Sequence, residues 1–198
     1  MNFLAHAYLS FGNKEVLLGN MISDFVKGKK QYDYPSIIHK GIVLHRFIDS
    51  FTDAHEATKE AKEVFRADYR LYSGAFIDVV YDHFLANDEN EFETEEALSR
   101  FAQQSYKALL PQQQWMPPFF ERIFFFMRTQ DWFSGYRTKA GTVQSFGGLV
   151  RRSAYLQDAG RASQIFEEHY ELLGDCYRQF WGEVKLFAFH KLEELLKS

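Results

Sequence analysis

From Glu15 to Lys27 the apolar residues Leu17, Leu18, Met21, Ile22, Phe25 and Val26 recur at helical spacing, so one face of a helix is predicted there. "KGKKQYDYP" breaks the pattern with a basic, turn-rich loop ending at Pro35, a residue suited to a first helical turn. A second stripe of Ile37, Gly41, Leu44, Ile48 and Phe51 predicts a helix from about Pro35 to Asp53. "HEATKEAKEVFR", rich in good helix formers, and "GAFIDVVYDHFLAN", with Phe76, Val80 and Phe84 in register, predict two more. Thr94 is placed to cap a helix whose first turn carries Glu95 and Glu96 and which stops before Pro111. Further helices are expected over Pro117–Phe133, Lys139–Arg152 and a long segment from Arg161 to Leu196, bent near Gly174 or Gly182.

No strand-length alternation, internal repeat or low-complexity linker interrupts this pattern. The expectation is a single all-α domain spanning 1–198, a bundle of about seven to nine helices. The 198 residues can bury a substantial core, and 46% hydrophobic content with 21 Phe and 11 Tyr excludes a disordered chain. A formal net charge of −4 argues against a general nucleic-acid binder. The single cysteine, Cys176, rules out an internal disulfide and suits a reducing compartment, where buried thiols are inert. The first residues lack the basic and apolar regions of a signal peptide, and no stretch has the length of a membrane span. A cytoplasmic protein without nucleic-acid or membrane partners is expected.

The chemistry lies in "GIVLHRFIDSFTDAH", where His45, Asp49 and Asp53 stand four residues apart on a helix that also builds core. Side chains at that spacing have Cβ atoms about 5–6 Å apart, so His45 and Asp49 can reach one ion. Asp53 drifts about 40° further round the helix. "FIDVVYDHF" repeats the theme with Asp78, Asp82 and His83, "GNMISDF" offers Asp24, and "NFLAHAYL" offers His6. Each has an ordinary structural account taken singly: a core histidine, an Arg46–Asp49 pair, a helix-end carboxylate. Jointly, several inward His and Asp residues without matching basic partners are costly to bury unless a cation neutralises them. Mixed imidazole and carboxylate donors suit Mn²⁺, Fe²⁺, Mg²⁺ or Zn²⁺, and hydrolysis is the reaction such a site favours. Lys27, Lys29, Lys30, Lys40 and Arg46 gather around it and point to a phosphorus substrate. Arg151 and Arg152 form a second basic pair that reads as a solvated helix end. A carboxylate-bridged di-iron bundle is set aside because no Glu-x-x-His pair is present.

In order along the chain, "MNFLAHAYLS", "LLGNMISDFVKG", "GIVLHRFIDSFTDAH" and "DVVYDHFL" resemble the successive motifs of the acyl carrier protein phosphodiesterases, distant relatives of the HD-domain phosphohydrolases. The likeness is dense over about the first 90 residues and continues through "WFSGYR", "GGLVRR" and "HYELLGDCYRQFW". It implies an all-α HD-like fold. It also implies Mn²⁺-dependent hydrolysis, with Mg²⁺ as a substitute, of the phosphodiester between a carrier-protein serine and 4′-phosphopantetheine, and the donor set admits Fe²⁺ as well. The usual contiguous His-Asp pair is absent; the adjacent pair is reversed as Asp82-His83. Carried over by motif, Asp24, His45, Asp49 and Asp82 are the expected metal ligands, with His6 ligating or orienting. Asp24, His83 and Arg46 are expected to act in catalysis, and Lys27, Lys29 and Arg46 to receive phosphate or the acidic carrier protein. The Phe-rich "FFERIFFFM" could cover an acyl or pantetheine channel, although such a run more commonly builds core. The alternatives are an HD-like hydrolase of a small phosphoester or nucleotide, and a non-catalytic all-α binding protein.

Overall fold

The computed structural model describes residues 2–153, 156 and 158–197. Among these, every regular element is helical: α1 (Phe3–Tyr8), α2 (Lys14–Ile22), α3 (Ser36–Ala54), α4 (Glu56–Tyr69), α5 (Ser73–Ala86), α6 (Glu95–Leu109), α7 (Pro118–Thr129), α8 (Trp132–Gly135), α9 (Lys139–Arg152), α10 (Gly160–Glu168) and α11 (Tyr170–Lys197). Short 3₁₀ turns join several of them, including Ser23–Phe25 and Gly28–Asp33. The loop read as irregular therefore coils, and Phe25 falls outside α2. The run expected as one helix over Pro117–Phe133 is split at Asp131, which takes a left-handed conformation with φ 46°. Tyr106 holds that corner: its hydroxyl donates to Asp131 Oδ1 at 3.1 Å and accepts the Phe133 N–H at 3.0 Å. The C-terminal segment divides at His169 rather than at a glycine, and Gly174 and Gly182 lie inside the 28-residue α11. The side chain of Arg152 lies outside the described residues.

Local sequence explains the boundaries. Asn13 accepts the Glu15 and Val16 N–H groups at the start of α2, and Thr94 accepts the Ala97 N–H at the start of α6. Helix α5 is buried at every residue from Val79 to Ala86, so it runs through the middle of the core with other helices around it. Helices α2 and α3 cross at Gly19 and Gly41, and the crossing admits nothing larger. A Cβ on Gly19 would stand 2.0 Å from the Ile38 carbonyl oxygen, and one on Gly41 would stand 2.4 Å from the Val16 oxygen. That approach sets Asn20, on α2, against His45, on α3. No helix among the described residues is long and apolar enough to cross a membrane.

Candidate metal centre

Two imidazoles stack at the heart of the site. The His6 and His45 rings lie 3.9 Å apart between centroids and 13° from parallel, and both residues are buried. Asn20, fully buried beside them, fixes both rings. Its side-chain Oδ1 is 2.9 Å from His6 Nδ1, and its backbone oxygen is 2.7 Å from His45 Nδ1. The Asn20 amide nitrogen donates to the His6 carbonyl at 2.8 Å and to Ser10 Oγ at 3.2 Å, which orients its oxygen toward the His6 ring. A carbonyl oxygen only accepts, so each Nδ1 carries the proton. In the neutral rings each Nε2 is then a lone pair, the tautomer a metal ligand needs.

Both Nε2 atoms face carboxylates. His6 Nε2 lies 3.2 Å from Asp49 Oδ1, and His45 Nε2 lies 3.0 Å from Asp49 Oδ2 and 3.1 Å from Asp24 Oδ1. His6, His45 and Asp49 each present a donor atom within 4.8 Å of the others, the one such group among the described residues. Asp24 joins through His45 on the open edge, its carboxylate largely exposed and held below the usual range by its hydrogen bond to that imidazole. Burial pushes His6 down to about 4, aided by the neighbouring His45. Burial also opposes charge on His45, but hydrogen bonds to Asp24 and Asp49 raise it to about 9. Asp49 is likewise opposed by burial, yet positive charge around it and its hydrogen bond to His45 hold it well below the usual carboxylate range.

The donor set fits a divalent cation. The buried His6 Nε2 makes no hydrogen bond despite its 3.2 Å approach to Asp49. A neutral ring places a lone pair against a carboxylate oxygen there. A cation between them would convert that repulsion into two coordinate bonds.

The structure separates the other expected ligands from this centre. Asp82 is fully buried under the N-terminal end of α1, where Oδ2 accepts the Leu4 N–H at 2.7 Å and Oδ1 the Ala5 N–H at 3.1 Å. Both oxygens are thus engaged by backbone N–H groups of the helix that carries His6, where a metal ligand was expected. Its neighbour His83 points away, as residues 100° apart on a helix must. There Nδ1 meets the Tyr136 carbonyl at 2.8 Å and Thr142 Oγ1 at 3.1 Å, while Nε2 meets the Tyr170 hydroxyl at 2.9 Å. Those three partners occupy both nitrogens, and none of them is a residue of the centre. Arg46 is exposed and reaches the Gln31 side chain at 2.7 Å and the Val26 carbonyl at 3.2 Å, clasping the 3₁₀ turn that follows Asp24. Lys27 and Lys29 are exposed on that same turn. Asp53 pairs with Lys62 at 2.7 Å. Asn20 was not singled out from the sequence. An asparagine within the otherwise apolar "LLGNMI" is a poor helix former that must satisfy its amide inside the core, and that was the available signal.

The helices thus converge two oriented imidazoles and two carboxylates on one open-edged point, a donor set suited to a divalent cation. The chain belongs to the acyl carrier protein phosphodiesterase family, whose model matches residues 1–184. It is 33% identical to an acyl carrier protein phosphodiesterase of Yersinia pestis, covering 96% of this chain and 99% of that one. The corresponding proteins of Klebsiella pneumoniae and Enterobacter sp. are each 31% identical, with the same shares covered. No solved structure matches the chain.

Proposed function

We propose that the protein hydrolyses the phosphodiester linking 4′-phosphopantetheine to the serine of holo acyl carrier protein, with a divalent cation, Mn²⁺ first, held by His6, His45 and Asp49. The observation that carries this reading is the convergence of two imidazole Nε2 atoms and one carboxylate, each ring oriented by Asn20. The family match supplies the substrate class. When bound, the cation would acidify water and offset charge on the phosphate oxygens. Water oxygen bonds to phosphorus, the bond from phosphorus to the serine oxygen breaks, and the serine leaves with a proton as apo carrier.

The chain's own groups divide this work. Asn20 holds the imidazoles in place and in the correct tautomer. Asp24, exposed at the open edge and 3.1 Å from His45 Nε2, is positioned to take the proton from water. Lys27, Lys29 and Arg46 surround that edge with positive charge, which suits a phosphate and the acidic surface of a carrier protein. Charge of this kind speeds encounter more than it tightens binding. A reducing, cytoplasmic setting agrees with the lone buried Cys176.

The test is the intact mass of holo acyl carrier protein after incubation with the enzyme and Mn²⁺, with and without chelator. Chelator-sensitive loss of the phosphopantetheinyl group is expected. Retention of the group by the carrier, with protein shown to hold metal, would refute the assignment and favour a small phosphoester as substrate.

A further inference from the structure

A cavity of about 400 Å³ opens between α1, α7, α8 and α9, within the size range of small-molecule sites. It does not include the metal centre, but the two share walls. Phe3 lines the cavity one helical turn before His6. On the other side, Phe119 lines it and packs at 5.7 Å against Phe25, the residue after Asp24. Phe25 and Phe3 both pack on Phe120, at 5.5 and 6.3 Å, so one aromatic cluster joins the cavity wall to the segments that carry His6 and Asp24. Half of "FFERIFFFM" is thereby accounted for: Phe120 and Phe124 are core, whereas Phe119, Phe125 and Phe126 are exposed, and Phe119 and Phe126 line the opening.

The lining is mixed. Trp132, Phe3 and Phe126 offer apolar faces, Gln144 offers an amide, and Arg122 and Arg151 bring positive charge to the rim. Such walls suit a slender chain bearing amides, methyl groups and a phosphate at one end. The floor on α9 is bare because position 148 is glycine; a Cβ there would meet only the flexible Arg151 guanidinium, at 3.9 Å.

We infer that this cavity receives the pantetheine arm of the substrate, with Gln144 bonding an arm amide, Phe3 and Trp132 packing on its methyl groups, and Arg122 facing the phosphate as it passes to the metal centre. The inference rests on the proposed function for the orientation of the arm, while the site itself is tested separately by binding.

The test is calorimetric titration of the protein with free 4′-phosphopantetheine, with and without Mn²⁺, for the wild type, Gly148→Leu and Gln144→Ala. Gly148→Leu fills the floor of the cavity from a helical position without a backbone clash. It is expected to weaken binding at least tenfold while Mn²⁺ binding and melting temperature hold. Gln144→Ala, at an exposed helical position, is expected to weaken it about fivefold, one neutral hydrogen bond's worth. Binding lost in both variants supports the site even where wild-type protein releases no phosphopantetheine from holo carrier; that result would overturn the proposed reaction alone. Unchanged affinity in Gly148→Leu, or no binding by the wild type, overturns the arm site even where holo carrier is hydrolysed.

Discussion

Replacing Asn20 by alanine acts on the two imidazoles differently. The variant keeps the backbone oxygen that accepts His45 Nδ1, so His45 stays oriented. It loses the Oδ1 that accepts His6 Nδ1 at 2.9 Å, leaving that N–H without a partner in a residue only 2% exposed. The His6 carbonyl loses the Asn20 amide but keeps the Ser10 hydroxyl at 2.8 Å, so the orphaned imidazole N–H dominates. An unsatisfied buried donor costs about 1–3 kcal/mol, and the vacated volume adds to it, so a stability loss of about 2–4 kcal/mol is expected. Without an acceptor at Nδ1 the His6 proton is free to move to Nε2, which removes the lone pair a cation would use. Loss of such a supporting contact typically weakens metal binding 10- to 100-fold, about 1.4–2.8 kcal/mol. Urea melts give the first quantity and Mn²⁺ titration of the folded variant the second. A folded Asn20→Ala protein binding Mn²⁺ within twofold of wild type would refute the argument that Asn20 sets the ligand tautomer.

Gly41→Ala would set a Cβ 2.4 Å from the Val16 oxygen and 2.9 Å from Gly19 Cα, all backbone, and should cost about 1–3 kcal/mol in thermal or urea melts while loosening Mn²⁺ binding through the Asn20–His45 contact. Burial pushes Asp82 up to about 7 against the Leu4 and Ala5 N–H groups, from an ordinary 3.8. The folded state therefore holds an extra proton between those values, and stability falls as pH rises through the window; Asp82→Asn should remove a decline of about 2 kcal/mol between pH 5 and 7. Charge reversal at Lys27 and Lys29 together should raise KM for holo carrier several-fold at low salt, an effect that shrinks at high ionic strength.

The all-α class, the cap at Thr94, and the stripes of α3 and α5 follow from local pattern, so they were legible in the sequence. So were His45 and Asp49, because spacing of four on a helix is a geometric statement that tertiary structure cannot undo. His6 was readable only as a candidate, since its six-residue helix is too short for periodicity to speak. The contacts of Asp82 and His83 were hidden for a tertiary reason. Both are chemically competent, but their partners sit far along the chain, at Leu4 and Ala5 for one and at Tyr136, Thr142 and Tyr170 for the other. The division of the C-terminal segment at His169 was equally hidden, because glycine within α11 is tolerated where helix packing outweighs its poor propensity.

The most direct test of the proposed centre is anomalous diffraction at the manganese edge from crystals soaked in Mn²⁺. A peak within about 2.0–2.6 Å of His6 Nε2, His45 Nε2 and an Asp49 oxygen is expected. A peak at Asp82 or His83, or none at the stacked imidazoles, would contradict it.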